Sequence, residues 1–126
     1  MLRQTVNARA GLLAGATGAS AVLLGAFGAH ALRTVLDARS FELWRTAVDY
    51  HVWHALALVL AVGLGRGRSG RLAVRAFASG IVLFSGSLYA LALGAPRWVG
   101  IITPFGGLAF VGGWIALGLS LGQREG

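Results

Sequence analysis

The sequence predicts an all-α membrane protein, four transmembrane helices packed as an up-down bundle, and three observations predict it. The first is composition: of 126 residues, 56% are hydrophobic and only 12% charged, with a mean hydropathy of +0.73, whereas soluble domains carry about 25% charged residues. The second is spacing, because four apolar runs of roughly 20 residues, each enough to cross a bilayer, fit the chain and leave only short connections. The third is charge. The 11 basic residues are all arginine, against 4 acids, and they sit between the apolar runs. In a soluble protein a net charge of +7 would suggest nucleic acid. Between membrane spans it reads as topology signals that face lipid headgroups, and no nucleic-acid partner is expected. Cysteine is absent, which excludes disulfides and thiol redox chemistry.

The first span covers about residues 10–32, after Arg3 and Arg9, and contains no charge until Arg33. Ala29-His30-Ala31 has the small-x-small form of a signal cleavage site, but the apolar stretch exceeds the usual 7–15 residues of a secretory signal, so a retained helix is expected. Gly11, Gly15, Gly18, Gly25 and Ala29 fall on one helix face. Membrane helices associate by close backbone approach, so this stripe is expected to pack against protein. Residues 33–46 mix charges with Leu36, Phe41, Leu43 and Trp44 and predict an amphipathic lead-in, with Ser40 as its N-cap.

The second span is expected at about 47–63, followed by a basic hairpin, Gly65-Arg66-Gly67-Arg68-Ser69-Gly70-Arg71. The third runs over about 72–93 and ends at Gly94-Ala95-Pro96. Residues 97–102 are too few to cross and should lie at the interface, with Trp98 at headgroup level. Thr103-Pro104 then opens the fourth span, 104–121, since Thr caps well and Pro favours the first helical position.

Four spans place both termini and the 64–71 hairpin on one side, with Arg3, Arg9, Arg66, Arg68, Arg71, Arg75 and Arg124; the other side holds Arg33, Arg39, Arg45 and Arg97. Seven against four predicts cytoplasmic termini.

The same topology gathers the unusual polar residues at the non-cytoplasmic end: His30, Asp49, Tyr50, His51, His54, Ser85, Ser87, Tyr89 and Thr103. Trp44, Trp53 and Trp98 lie there too, and Trp114 alone among the tryptophans falls elsewhere. On a helical wheel Glu42, Arg45 and Asp49 form one stripe, within which Arg45 and Asp49 can pair, while His51 and His54 look mostly the other way. Polar side chains below the interface face the bundle interior. One connected cluster of His30, His51, His54, Tyr50, Ser85, Ser87, Tyr89 and Thr103 is therefore expected, roughly 6–11 Å below a helix start at Ala47. The i,i+3 spacing of His51 and His54, with His30 from the neighbouring helix, is also the one candidate metal set. Structural hydrogen bonding is the favoured reading; haem, metal, quinone, lipid or proton handling are the alternatives. Ser85 and Ser87 cannot share a helix face, and back-bonding to their own helix is the ordinary outcome. Trp114 should fill the gap left by Gly112-Gly113.

Several motifs in order carry a resemblance. Gly25-Ala26-Phe27-Gly28-Ala29-His30-Ala31-Leu32, then Trp44-x-Thr46-Ala47-x-x-Tyr50-His51-x-x-His54-x-Leu56-Ala57-Leu58, then Phe84-Ser85-Gly86-Ser87-Leu88-Tyr89, Ile102-Thr103-Pro104-x-Gly106-Gly107 and Gly113-Trp114 resemble the YgdD-like small membrane proteins, domain-of-unknown-function family 423, which includes mitochondrial relatives. Phe105 stands where that pattern suggests an aliphatic residue, which bears on packing alone. The resemblance implies a four-helix protein of the bacterial inner membrane with no established activity, and it assigns no cofactor.

Three functions compete. The first is a non-enzymatic accessory or interaction protein whose partners are membrane lipids and either another membrane protein or a second copy. The second is a haem, metal or quinone module built on the histidines. The third and weakest is a small transporter, because Asp49, close to an end, is the only acid within any span.

Overall fold

The computed structural model describes residues 8–123; Arg3 and Arg124, which count toward the arginine bias, lie outside them. Four helices are long and apolar enough to cross a membrane. They are α1 (Ala8–Leu32), α2 (Ala38–Leu64), α3 (Gly67–Ala92) and, after a 3-10 turn over Arg97–Ile101, α4 (Thr103–Leu121). The first three have 25, 27 and 26 residues, so each is roughly 40 Å long, more than the hydrocarbon thickness of about 30 Å. Connections this short force neighbouring helices to run antiparallel. The start of α1, the α2–α3 hairpin and the end of α4 consequently share one end of the bundle, where a Cβ on Gly67 would lie 3.3 Å from Gln123 Oε1.

The second helix departs from expectation. It starts at Ala38 and takes in most of the amphipathic stretch, and its N-cap is Asp37 rather than Ser40: the Asp37 carboxylate accepts the Ser40 backbone N–H at 2.8 Å. That bond holds the carboxyl below the usual carboxylate range. The third helix likewise starts at Gly67, where the φ of +62° suits glycine. The hairpin thus shrinks to Gly65-Arg66, and Ser120 of α4 clamps it by accepting the Arg66 N–H and donating to the Arg66 carbonyl.

Two of the helices contain a π-turn, Gly28–Leu32 at the end of α1 and Ile81–Ser85 within α3. In the second, the Gly86 N–H reaches back to the Ile81 carbonyl, and the extra residue shifts the register of everything beyond it.

The main core lies between α2, α3 and α4 and includes Leu58, Ala61, Phe77, Ile81, Phe110 and Leu117. Here glycine permits close approach. A Cβ on Gly106 would strike the Phe84 backbone, one on Gly113 would fall 2.8 Å from Phe77 Cδ1, and one on Gly80 2.5 Å from Phe110 Cδ1. Aromatic rings from each helix thus press onto the bare backbone of the other, the small-residue packing that replaces the hydrophobic effect inside a bilayer.

Helix α1 packs chiefly on α2, burying Ala14 and Ala21. Its glycine stripe behaves differently along its length. A Cβ on Gly25 would meet Val48 Cγ1 at 3.3 Å, but Cβ positions at Gly11, Gly15 and Gly18 have no atom within 4 Å; Gly28, outside the stripe, lies directly beneath the Trp44 ring. The expectation that the whole stripe packs against protein is therefore corrected for Gly11, Gly15, Gly18 and the exposed Ala29, and holds at Gly25, because α1 turns Ala14 and Ala21 toward α2.

Candidate functional site

His51 and His54 are the fourteenth and seventeenth residues of the 27 in α2, so they lie roughly 20 and 24 Å from its start. Because α2 starts at Ala38 and not at Ala47, they stand at mid-helix, further along α2 than the expected 6–11 Å. Both are buried, at 4% and 5% exposure, and both are fully engaged by protein.

His51 pairs Nε2 with the Ser20 hydroxyl of α1 at 3.2 Å and Nδ1 with the Tyr89 hydroxyl of α3 at 2.8 Å. Ser20 places its proton on the Thr17 carbonyl, so its oxygen accepts from His51. Nε2 then carries the imidazole hydrogen and Nδ1 accepts from Tyr89. His54 has the reverse arrangement. Its Nδ1 lies 2.8 Å from the Tyr50 carbonyl, which can only accept, and its Nε2 receives the Trp114 indole N–H at 3.1 Å, which can only donate. The two neutral imidazoles are held as opposite tautomers. An aromatic box completes the His54 environment, with Phe110 stacked at a centroid distance of 3.5 Å, Tyr50 stacked at 5.9 Å, and Trp114 edge-on at 6.1 Å.

The remaining polar residues form separate pairs. Ser85, fully buried, donates to the Ala47 carbonyl of α2 at 2.7 Å. Ser87 donates to Phe84 of its own helix at 2.9 Å and is hydrogen-bonded to Thr103 of α4. The two serines face different helices, as their spacing requires, and Ser85 bonds across the interface instead of back onto α3. Tyr50 contributes its ring and its carbonyl.

His30 does not join this group. It is exposed in the π-turn of α1, and the α1 residue that meets His51 is Ser20, ten residues earlier, which is roughly 15 Å along the helix. Among the described residues no three His, Cys, Asp or Glu side chains converge as a metal centre would need. The expected single cluster is thus corrected to four separate hydrogen-bonded groups, around His51, His54, Ser85 and Ser87, that leave no buried side-chain nitrogen or oxygen without a partner among the described residues.

Ser20 and Trp114 are the members that sequence reasoning missed. Trp114, expected as a gap filler, instead uses its N–H on His54 while half its surface stays exposed; the available signal was that an indole below the interface seeks an acceptor. Trp44, expected in the amphipathic lead-in, is buried at 3% exposure, donates to the Leu24 carbonyl at 3.0 Å and tilts onto Tyr89. Arg45 and Asp49 stay outside, both exposed. No ion pair joins them among the described residues, though both line a cleft of about 300 Å³ with Arg33 and Trp44. His51 and His54 do not reach that cleft.

Residues 24–107 match a family described as "Protein of unknown function (DUF423)". The UPF0382 membrane protein YwdK of Bacillus subtilis (strain 168) is 44% identical over 101 residues, covering 77% of this chain and 82% of its own. A UPF0382 membrane protein of Haemophilus influenzae is 46% identical over 99 residues, 76% of this chain and 79% of its own. The UPF0382 inner membrane protein YgdD of Escherichia coli (strain K12) is 41% identical over 100 residues, 74% of this chain and 73% of its own. No solved structure matches the chain.

Proposed function

The chain belongs to the DUF423 family, whose relatives are named membrane proteins, and we propose that it is a non-enzymatic accessory or interaction protein of the bacterial inner membrane. Its polar centre holds the bundle together, and its outer surfaces make the contacts that matter, with lipid and with another membrane protein or a second copy. The observation that carries this reading is the saturation of His51 and His54. All four ring nitrogens are taken by Ser20, Tyr89, the Tyr50 carbonyl and Trp114, so a metal, haem iron or quinone oxygen would have to displace a bond already made. The arginine bias supports cytoplasmic termini, and the relative named as an inner membrane protein supports the inner-membrane location.

His51→Leu in the purified, detergent-solubilised protein tests the reading. It removes the link between α1, α2 and α3 and strands the Tyr89 hydroxyl, which should cost about 1–3 kcal/mol. The expected result is a lowered thermal midpoint, in a protein whose wild type shows no visible absorption band and no stoichiometric metal. A wild type that carries a chromophore, metal or quinone, lost in a variant of unchanged stability, would overturn the structural reading in favour of a cofactor module.

A further inference from the structure

The end of the bundle that holds the α2–α3 hairpin contains a cleft of about 770 Å³ between the start of α1 and the beginning of α3. Arg9 lines it from α1, Arg71 and Arg75, one turn apart on the same face of α3, line it from α3, and Arg66, which has a partner of its own, lines it from the hairpin. Ala61, Val62 and Val74 give it an apolar wall. Among the described residues no acidic side chain lines it, and no hydrogen bond or ion pair engages the Arg9, Arg71 or Arg75 guanidinium. Of the four acids in the chain, Asp37 and Glu42 belong to the cap and first turns of α2, at the opposite end, Asp49 stands near the middle of α2 and lines the other cleft, and Glu125 lies outside the described residues.

The cleft has a fixed frame. Gly70 lies so close to Gly65 that a Cβ would fall 2.8 Å from the Gly65 carbonyl carbon, and Ser120 holds both backbone groups of Arg66. Arg75 is eight residues into α3 from Gly67, roughly 12 Å along the axis, one turn further from the hairpin than Arg71. Unneutralised cations at the edge of a hydrocarbon layer need an anion, and basic pockets between membrane helices supply lipid headgroup sites.

We infer that this cleft binds a phospholipid with two phosphodiesters, diphosphatidylglycerol, one phosphate on the Arg71–Arg75 face and the other toward Arg9, its acyl chains running along Val62 and Val74. Two phosphates answer the placement of the cations, Arg9 on α1 and Arg71 and Arg75 on α3, around one cleft of about 770 Å³. The inference is independent of the histidine network.

The test uses the full chain in phosphatidylcholine nanodiscs, with diphosphatidylglycerol or with twice the mole fraction of phosphatidylglycerol, so that charge and chain number match. Native mass spectrometry and the thermal midpoint are read. The wild type should retain one diphosphatidylglycerol and melt higher with it than with phosphatidylglycerol. Arg71→Gln/Arg75→Gln should hold that lipid about thirty-fold more weakly, from about 1 kcal/mol per lost arginine contact, with an unchanged midpoint in pure phosphatidylcholine. Arg33→Gln/Arg97→Gln, at the other end, should bind as the wild type does. If the first double variant melts lower in phosphatidylcholine alone, Arg9→Gln makes the same comparison, with about a fivefold loss expected. Equal stabilisation by phosphatidylglycerol, undiminished retention in these cleft variants, or an equal loss in the control pair would overturn the site. So would displacement by soluble glycerophosphate at the lipid's own concentration, which would make it a free-anion site.

Discussion

Tyr89 and Trp114 each donate one hydrogen bond to a buried imidazole, and they differ in what else holds them. Tyr89 is also packed beside Trp44 at a ring distance of 4.7 Å, so Tyr89→Phe should keep its place and lose only the hydroxyl, at about 0.6–1.7 kcal/mol. Trp114→Phe strips His54 Nε2 of its donor and thins the aromatic box, and it should cost more, about 1–3 kcal/mol. Reversible unfolding of both variants in detergent checks the order, and a larger loss for Tyr89→Phe would contradict it. At this scale the sequence was legible wherever a polar residue interrupted an apolar run: His51, His54, Ser85, Ser87, Tyr89 and Thr103 all stand out and all make bonds inside the bundle or at its rim. Partner identity was not legible. Ser20 looks like one more small residue in a glycine-rich helix, and His30 looks interior only if α1 and α2 are aligned by their expected ends.

At the scale of the element, the misreading has one source. Placing the start of the second span at Ala47 moves every depth on α2 by nine residues relative to its true start at Ala38, roughly 14 Å, and that shift is what selected His30 over Ser20. The signal was present in Asp37, three residues before the N–H it caps, but Ser40 competed as a cap of equal quality. Glycine shows the same difficulty. Periodicity gave α1 a stripe, yet the glycines that admit another helix are Gly106 and Gly113 on α4, because it is the size of the facing residue, Phe84 or Phe77, that makes a missing Cβ matter. Gly113→Leu should therefore destabilise the bundle by about 1–3 kcal/mol through overpacking, whereas Gly15→Leu should leave thermal stability unchanged in a dilute detergent solution. The reverse order would show α1 rotated from the position described.

For the molecule as a whole, the polar contacts form a cross-brace. Ser20 joins α1 to His51 of α2, Tyr89 and Ser85 join α3 to α2, Trp114 joins α4 to α2, and Thr103 joins α4 to α3. Every spanning helix is held by at least one directional bond, which apolar packing in lipid cannot supply because lipid chains are as apolar as the side chains they would replace. The fold class was fully legible from hydropathy, since four apolar runs with short connections admit only this topology; the brace was not, because it depends on register between helices. The central claim is that both imidazoles are neutral, internally saturated and opposite in tautomer. Nitrogen-15 NMR of the full-length protein in lipid, with histidine labelled, tests it most directly. One imidazole, that of His51, should be protonated at Nε2 with Nδ1 accepting, and the other, that of His54, protonated at Nδ1 with Nε2 accepting. A doubly protonated ring, two identical tautomers, or a nitrogen shifted by metal coordination at either residue would contradict it.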